Sequence, residues 1–433
     1  MLAGWVFERT RRTFYGWWIV AVGMFAAALS GGLFFHGFRF YFEPMRQQFG
    51  WSRTLISGAY ALSRVESGFL GPPGGYLVER FGPRILMVVG FMIFGSGFIL
   101  LGFTNSKVMF YIAFLVLSVG SGLSSWTPVV ATLNNWFRRK RARAVGLMMT
   151  GLGLGGVMVA PALAYFISEF DWKKTALASG ILLFAIGIPL SRVLRYSPEP
   201  YGQLPDGDKP DPEGASRSSG TRRPVAAEYD FTVKEALKTP AFWVLSVGHS
   251  IALLTVSSLG LHLTPYLVTE LHYSPAVGAQ ALVVMTTALM VAQPLSGFLG
   301  ERFDKKYLVA FAMLGHAAAM MLFATAGDLT QVFAASALHG ISWGVRGPLL
   351  TAMRGDFFGR KHFPVIMGYT QLVTMGGQIV GPLLLGYMAD EYSYSAGLKI
   401  ISIITASGFF IFLFLKNPQP SSGRPTPGRA TAP

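Results

Sequence analysis

The sequence predicts an all-α membrane protein in which twelve transmembrane helices form two bundles of six around a central cavity. Of its 433 residues, 52% are hydrophobic and only 13% are charged, a balance that is not found in soluble domains. Apolar stretches of about 20 residues, the length that crosses roughly 30 Å of hydrocarbon as helix, recur along almost the whole chain. We count twelve of them. Features of the first half return in the second at a fixed spacing, which predicts two related halves.

The first apolar stretch runs from about Trp17 to Tyr41. It is too long for the core of a signal peptide, and no small-residue cleavage site follows it, so we expect it to be retained as span 1. The later spans follow one another through short polar loops, with one long interruption between spans 6 and 7.

Basic residues are concentrated on alternate loops, and the positive-inside rule places those loops in the cytoplasm. An even number of spans then places both termini there, and we expect the membrane to be a bacterial inner (plasma) membrane. The loops assigned to the cytoplasm carry Arg9, Arg11, Arg12, Arg80, Arg84, Arg138, Arg139, Lys140, Arg141, Arg143, Arg302, Lys305, Lys306, Arg354, Arg360 and Lys361. The opposite loops carry Arg46, Arg53, Lys107, Lys173 and Lys174, with Arg39 at the border.

The composition also excludes several functions. The net charge of +15 is explained by these loops, and a nucleic-acid partner is not expected because its phosphates require a continuous basic face. The chain has no cysteine, so disulfides, thiolate metal sites and cysteine nucleophiles are excluded. We expect no metal and no cofactor.

A polar segment rich in Pro and Gly separates the two groups of six spans. We predict an N-terminal half at 1–196, a cytoplasmic linker at 197–239, a C-terminal half at 240–416 and a disordered cytoplasmic tail at 417–433. Within the linker, helix-forming residues after Thr232 and before Pro240 predict a short surface helix.

The repeat is clearest in the loops. GGYLVERFGPR, which begins at Gly74, returns as SGFLGERFDKK from Ser296, so that Glu79 and Glu301 are 222 residues apart. A second set of matches, which includes Pro161 and Pro382, is 221 residues apart. Two parallel halves of six spans would place a central cavity on the pseudo-twofold axis between them.

These features resemble the major facilitator superfamily of transporters over nearly the full chain. The most specific match is the loop motif after span 2, in which an acid and two basic residues follow a glycine. The resemblance implies that the loop is a conformational latch, which pairs with a neighbouring helix end in one state and releases it in the other. The latch residues are Gly75, Glu79, Arg80, Gly82 and Arg84, with Glu301 and Arg302 in the second half.

Three phrases resemble one branch of that family in particular. FYGWW, FGWSR and NNWFRRKRARAVGL are similar to segments of the monocarboxylate and oxalate:formate transporters. The branch implies small organic anions as substrates. In span 8 this chain departs from the branch: Leu289 stands at the position of an acid, and Gln293 stands at the position of an arginine.

Charged residues inside the spans are the candidate site. Arg64 and Glu66 lie about 15 Å along span 2, where each charge costs about 2.5–3.5 kcal/mol on insertion scales. We assign Arg64 to anion binding and Glu66 to proton coupling, with a structural ion pair as the alternative. Arg346 in span 10 is a second anion-binding candidate because a guanidinium holds a carboxylate through two hydrogen bonds, unless it extends to the cytoplasmic surface instead.

Three further polar residues complete the predicted substrate site. His36 falls where the monocarboxylate family has a lysine in span 1, and Gln293 can form a hydrogen bond to a substrate without neutralising it. Gln371 of span 11 is the third. The remaining histidines of the spans, His249, His262, His316 and His339, are each more typical of hydrogen-bonded scaffolding than of a proton relay.

The sequence therefore predicts a secondary active transporter of a small, monocarboxylate-like organic anion that works by alternating access with a proton as the coupling ion, as a monomer surrounded by lipid. The alternative is an exporter or importer of a larger amphipathic compound, which the 35 Phe and 18 Met would suit. A membrane receptor or an enzyme is not expected, because HExxH and GxxxxGK[ST] are absent from the sequence.

Overall fold

The computed structural model describes residues 14–208 and 229–419, and in these ranges the chain is helical with no strand. Twelve long helices are present, as predicted. The N-terminal six are α1 (Gly16–Phe49), α2 (Arg53–Phe69, continued after Leu70 by Gly71–Phe81), α3 (Pro83–Gly102), α4 (Lys107–Trp136), α5 (Arg141–Phe170) and α6 (Trp172–Ser191). The C-terminal six are α7 (Pro240–Thr269), α8 (Pro275–Arg302), α9 (Lys305–Ala324), α10 (Leu329–Phe358), α11 (Phe363–Glu391) and α12 (Tyr394–Leu413).

Ten of the twelve helices are long and apolar enough to cross a membrane by length and composition alone. The other two are α2, which contains Arg64 and Glu66, and α10, which contains Arg346 and Arg354. The charged groups deep in the spans are therefore concentrated in two helices, one in each half.

Helix ends follow from capping residues. Ser52 accepts a hydrogen bond from the backbone N–H of Leu55 at the start of α2, and Ser106 does the same for α4. Between α2 and α3 the backbone turns at Gly82, whose φ of 80° is open to glycine but strained for other residues. This requirement accounts for the glycine of the loop motif.

The loops after α2, α4, α6, α8 and α10 lie on one side of the molecule, which we call the linker face. α1 begins and α12 ends at this face. The described parts of the linker lie there too, including a helix (Val233–Lys238) that starts with a capping box between Thr232 and Glu235. This short helix confirms the prediction. Residues 209–228, and the predicted tail from 420 onwards, lie outside the described residues.

The N-terminal half contains three π-helical turns, in α1 (Gly31–Phe35), α4 (Gly122–Trp126) and α5 (Gly155–Val159). The turns of α1 and α5 face each other, and a Cβ at Gly32 would lie 2.6 Å from the carbonyl oxygen of Gly155. No π turn is found among the described helices of the C-terminal half. Because π turns interrupt regular helix pairing and are frequent at functional sites, the two halves differ in backbone regularity.

In the C-terminal half, apolar packing is divided into two clusters. The cluster near the linker face includes Phe242, Leu349 and Phe358. The cluster near the opposite face includes Tyr266 and Phe323, among others. Buried polar side chains lie at the level between these clusters, as described below.

Candidate transport site and linker-face gate

The two halves meet most closely where α2 packs against α11. A Cβ at Gly71 would lie 2.5 Å from the carbonyl oxygen of Gly368, and a Cβ at Gly75 would clash with the carbonyl of Pro364. Glycine at these positions lets the two backbones touch, as small residues do at helix interfaces in membranes. The predicted latch residue Gly75 therefore lies in the contact between the halves.

A second close contact joins α5 to α8. A Cβ at Gly146 would clash with the carbonyl oxygen of Gln293, and a Cβ at Gly297 would clash with the backbone of Arg143. The Arg143 guanidinium lies 4.2 Å from the ring centroid of Phe298. Both contacts lie in the part of the molecule next to the linker face, which is closed.

An ionic network crosses between the halves at the same level. Arg141, at the start of α5, is 1% exposed and donates to Asp356 of α10. Asp356 also accepts a hydrogen bond of 2.6 Å from Lys305. Because Arg141 is buried, loss of Asp356 would leave its charge uncompensated, so this network contributes to closure of the linker face.

The sequence analysis missed Asp356, although a signal was available. It is the one acidic residue between Asp328 and Asp390, and it stands next to a loop that repeats the basic loop of the first half.

The predicted latch residues occupy two different environments. Glu79 accepts a hydrogen bond of 3.3 Å from Nδ1 of His362, at the start of α11, so the acid of the motif bridges the halves. Arg80 and Arg84 are exposed at the linker face. In the second half Glu301 and Arg302 are exposed, and Glu301 makes no ion pair with a described residue.

Two linker aspartates bind the pair of repeated loops. Asp206 accepts backbone hydrogen bonds from Arg138, Arg139 and Lys140, of 3.3, 2.9 and 3.2 Å. Asp230 accepts the equivalent bonds at the α10–α11 loop, from Arg360 at 2.7 Å and Lys361 at 3.1 Å. The two described ends of the linker thus each hold one half, in a corresponding way.

One linker carboxylate also crosses between the halves. Glu199 pairs with Arg360 at 2.8 Å, and Arg360 donates to the carbonyl oxygen of Asn135 at 3.1 Å. Burial raises the pKa of the Glu199 carboxyl, but the hydrogen bond and the charge of Arg360 outweigh burial, so the pKa lies below its ordinary value of 4.5.

Arg346 lies in the polar layer of the C-terminal half. Its side chain is 0% exposed, and its Nε, Nη1 and Nη2 atoms make no hydrogen bond to any described residue. Glycines surround it: Gly344 packs against α8 beside the backbone of Gln293, and Gly347 faces Met149 of α5. The guanidinium is thus buried without an acidic partner among the described residues.

Other basic side chains of the C-terminal half are buried too. Arg354 is also buried, and its Nη2 donates to the Leu245 carbonyl oxygen at 3.1 Å and lies 3.0 Å from Nδ1 of His249. His316 of α9 and His339 of α10 are both 0% exposed, with their Nδ1 atoms 3.1 Å apart. The structure therefore brings together residues that the sequence analysis treated singly.

The remaining predicted site residues are distributed over both halves. Gln293 is buried in α8, and its Oε1 has no hydrogen-bond partner among the described residues. Gln371 packs against Gly71 in the α2–α11 contact. His36 follows the π turn of α1 and faces Gly156 of α5.

The predicted charged pair of α2 has separate partners. The Arg64 guanidinium lies 5.0 Å from the ring centroid of Phe35 in α1. Glu66 accepts hydrogen bonds from the hydroxyl of Ser118 in α4 and, at 3.4 Å, from that of Ser67. Arg64 and Glu66 therefore contact different groups of the N-terminal half.

Comparison with known proteins gives one consistent result. The family model described as Major Facilitator Superfamily matches residues 20–290 and, again, 245–433. The oxalate:formate antiporter of Oxalobacter formigenes is 23% identical over 418 residues, covering 94% of this chain and 93% of its own. Monocarboxylate transporter 11 of Mus musculus is 28% identical over 434 residues, covering 94% and 89%.

Solved structures show the same fold at lower identity. The crystal structure of the human organic anion transporter MFSD10 matches with a TM-score of 0.69 and 14% identity, covering 92% of this chain and 99% of that one. The E. coli fucose:proton symporter FucP matches with a TM-score of 0.68 and 14% identity, covering 93% and 98%.

The glycine contact can be tested with neighbouring glycines. Gly75→Ala adds a methyl group that clashes with the Pro364 carbonyl, whereas a Cβ at Gly74 would lie 3.7 Å from Leu123, an ordinary contact. Overpacking costs about 1–3 kcal/mol, so we expect Gly75→Ala to favour opening of the linker face by roughly tenfold or more. The chain lacks cysteine, so the substitution Met367→Cys introduces a single thiol. Met367 is only 8% exposed in the closed structure, so the rate at which maleimide labels this thiol reports opening of the linker face. Equal labelling rates with Gly74→Ala and Gly75→Ala would contradict this role.

The Glu199–Arg360 contact predicts a pH dependence. A lowered pKa means that the contact is fully present above pH 4.5 and is lost as the pH falls through the lowered value. Spin labels on Arg84→Cys, which is exposed at the linker face, and Lys306→Cys, which is half-buried there, measure the separation of the halves. As the pH falls through that lowered pKa we expect longer separations, and Glu199→Gln should produce part of that shift at neutral pH. The exposed Glu169 provides the control variant Glu169→Gln, and an identical response of the two variants would refute the contribution of Glu199.

Proposed function

Because this chain belongs to the major facilitator superfamily, and is therefore an integral membrane transporter rather than an enzyme, we propose that it carries a small organic anion together with a proton by alternating access. The observation that supports this proposal most directly is the Arg346 guanidinium, which is fully buried and has no hydrogen-bond partner among the described residues.

A buried charge without a partner is costly in a low-dielectric interior. The cost is relieved when an anion binds, and the planar guanidinium of Arg346 suits a carboxylate because it offers two parallel N–H groups. Gly344 and Gly347 flank Arg346 along its own helix. We infer that Arg346 binds an anion that is not part of the protein.

The relatives support the same substrate class. Their names describe transport of oxalate, formate and monocarboxylates, and the matched MFSD10 structure is that of an organic anion transporter. In this chain the α8 positions at which the branch has a charged pair are Leu289 and Gln293, which are both neutral and buried. The positive charge for the substrate is supplied from α10 by Arg346, with Arg64 of α2 as a second candidate.

The closed linker face supplies the second part of the proposal. Alternating access requires the two halves to separate there, so the contacts made by Gly75, Glu79 and Arg141 must break and reform in each cycle. We propose that this face is cytoplasmic, because the loops that form it carry the excess of Lys and Arg.

Replacement of Arg346 tests the anion site. We expect formate, L-lactate or oxalate to stabilise the purified wild-type protein, by about 2.7 kcal/mol at 100 times the dissociation constant. Arg346→Gln should abolish this stabilisation and uptake into proteoliposomes, and Arg346→Lys should restore little, because lysine lacks the bidentate geometry. Lys399→Gln, at an exposed position, is the control that removes one positive charge from the same half.

The result with Arg64→Gln assigns the second candidate. Loss of uptake in a folded Arg64→Gln protein would place Arg64 in the anion site with Arg346. Full carboxylate binding by Arg346→Gln would refute the proposed site, and stabilisation of the wild type by amphipathic cations alone would refute the anion class.

A further inference from the structure

The strongest unassigned feature of the molecule is the contact between His316 and His339. The two rings lie on adjacent helices with centroids 4.6 Å apart and planes inclined by 66°. Their Nδ1 atoms are 3.1 Å apart, which is hydrogen-bonding distance, and both side chains are fully buried. Their Nε2 atoms have no hydrogen-bond partner among the described residues.

This geometry fixes how many protons the pair holds. A neutral imidazole carries one N–H, so an Nδ1–Nδ1 hydrogen bond requires one ring to be protonated at Nδ1 and the other at Nε2. The ring that donates through Nδ1 then has a bare Nε2 with a free lone pair. The pair can accept one further proton at that nitrogen while keeping the hydrogen bond between the rings, and no covalent bond between heavy atoms changes.

The charged surroundings of the pair are basic. Arg346 follows His339 by seven residues on α10, two helical turns or about 10 Å along the axis. His249 of α7 and Arg354 lie 3.0 Å apart, nearer the linker face.

The neighbouring helices add no acid. α8 contains no titratable residue from Pro275 to Gly300. α12 contributes Tyr394 and the exposed Lys399, and the other titratable residues of α9 lie at its linker end. No acidic side chain of the described residues therefore faces the histidine pair to balance an added proton.

Protonation of the pair and anion binding consequently favour each other. With Arg346 unneutralised, a second positive charge in the same buried layer is repelled. An anion on Arg346 cancels that repulsion and makes an added proton favourable, and by reciprocity the proton strengthens anion binding. The two ligands can then bind and leave together.

We propose that His316 and His339 form the proton-binding site of the transporter, which takes up one proton when an anion occupies Arg346 and releases it when the anion leaves. This inference rests on the proposed anion transport and assigns its coupling to the C-terminal half. It differs from the sequence-based assignment of coupling to Glu66, whose carboxylate accepts hydrogen bonds from Ser118 and Ser67 in the other half.

The test separates proton coupling from anion transport. Proteoliposomes that contain wild type or variants are given formate, L-lactate or oxalate. Three quantities are measured: accumulation driven by an acid-outside pH gradient, proton entry reported by an internal pH dye, and exchange of labelled carboxylate at equal pH.

We expect His316→Gln and His339→Gln to lower gradient-driven accumulation by about tenfold or more, the scale of a typical coupling free energy, and to lower exchange much less. His316→Asn and His339→Asn, which place an amide near the Nδ1 position, should behave in the same way. A merely structural role would reduce accumulation and exchange together, and that result would overturn the inference.

Two variants serve as comparisons. His262 of α7 lies 3.0 Å from the Pro382 carbonyl oxygen and outside the basic layer, so His262→Gln should leave the ratio of accumulation to exchange unchanged. Loss of proton-driven accumulation in Glu66→Gln but not in the histidine variants would also overturn the inference.

A measurement on the wild-type protein tests the inference even if the histidine variants fail to fold. In protein labelled with ¹⁵N-histidine, a carboxylate that stabilises the wild type should shift a pair of ring resonances towards the imidazolium form near pH 6.5, the ordinary histidine pKa. No change on binding would overturn the inference and leave anion transport standing. No uptake of any of the three carboxylates would instead refute the proposed function, and the inference with it.

Discussion

The cost of a bare charge in a low-dielectric interior governs this structure. Where the halves meet at the linker face, the cost is avoided because Arg141 donates to Asp356, which also receives Lys305. In the polar layer between the two apolar clusters of the C-terminal half, Arg346 has no hydrogen-bond partner, so no described residue compensates its charge. One buried arginine therefore joins the halves, whereas the other remains available to a ligand.

The two halves share a fold but differ in where their irregular helical turns and their buried polar side chains lie. Interruptions of regular helix lie in the N-terminal half, where π turns in α1 and α5 pack against each other. The unpaired guanidinium and the histidine pair lie in the C-terminal half. The linker follows the internal repeat of the chain, because Asp206 and Asp230 bind corresponding loops that are 221 residues apart. The two halves therefore share their helix arrangement, and the side chains that differ between them give each half its own chemistry.

Much of the fold was predictable because lipid imposes a simple rule: about 20 apolar residues per span. The closeness of His316 to His339 was not, nor was the pairing of Arg141 with Asp356. In a soluble protein an apolar stripe shows which helix face is buried, but lipid is as apolar as the core, so the periodicity is weak and helix rotation stays undetermined. The loop motif singled out Glu79, but its contact with His362, 283 residues away, could not be predicted from the sequence.

The lack of an acid beside Arg346 also affects how the membrane potential would act on transport. An arginine stays protonated in proteins, so in the proposed cycle the empty and loaded carriers would differ in charge only by the bound substrate and proton. One monocarboxylate with one proton adds no net charge, and the membrane potential then neither drives nor opposes accumulation. A dicarboxylate with one proton carries one negative charge inward, against about 2.3 kcal/mol for each 100 mV of inside-negative potential. The valence of the substrate, rather than the protein, would decide whether voltage limits uptake.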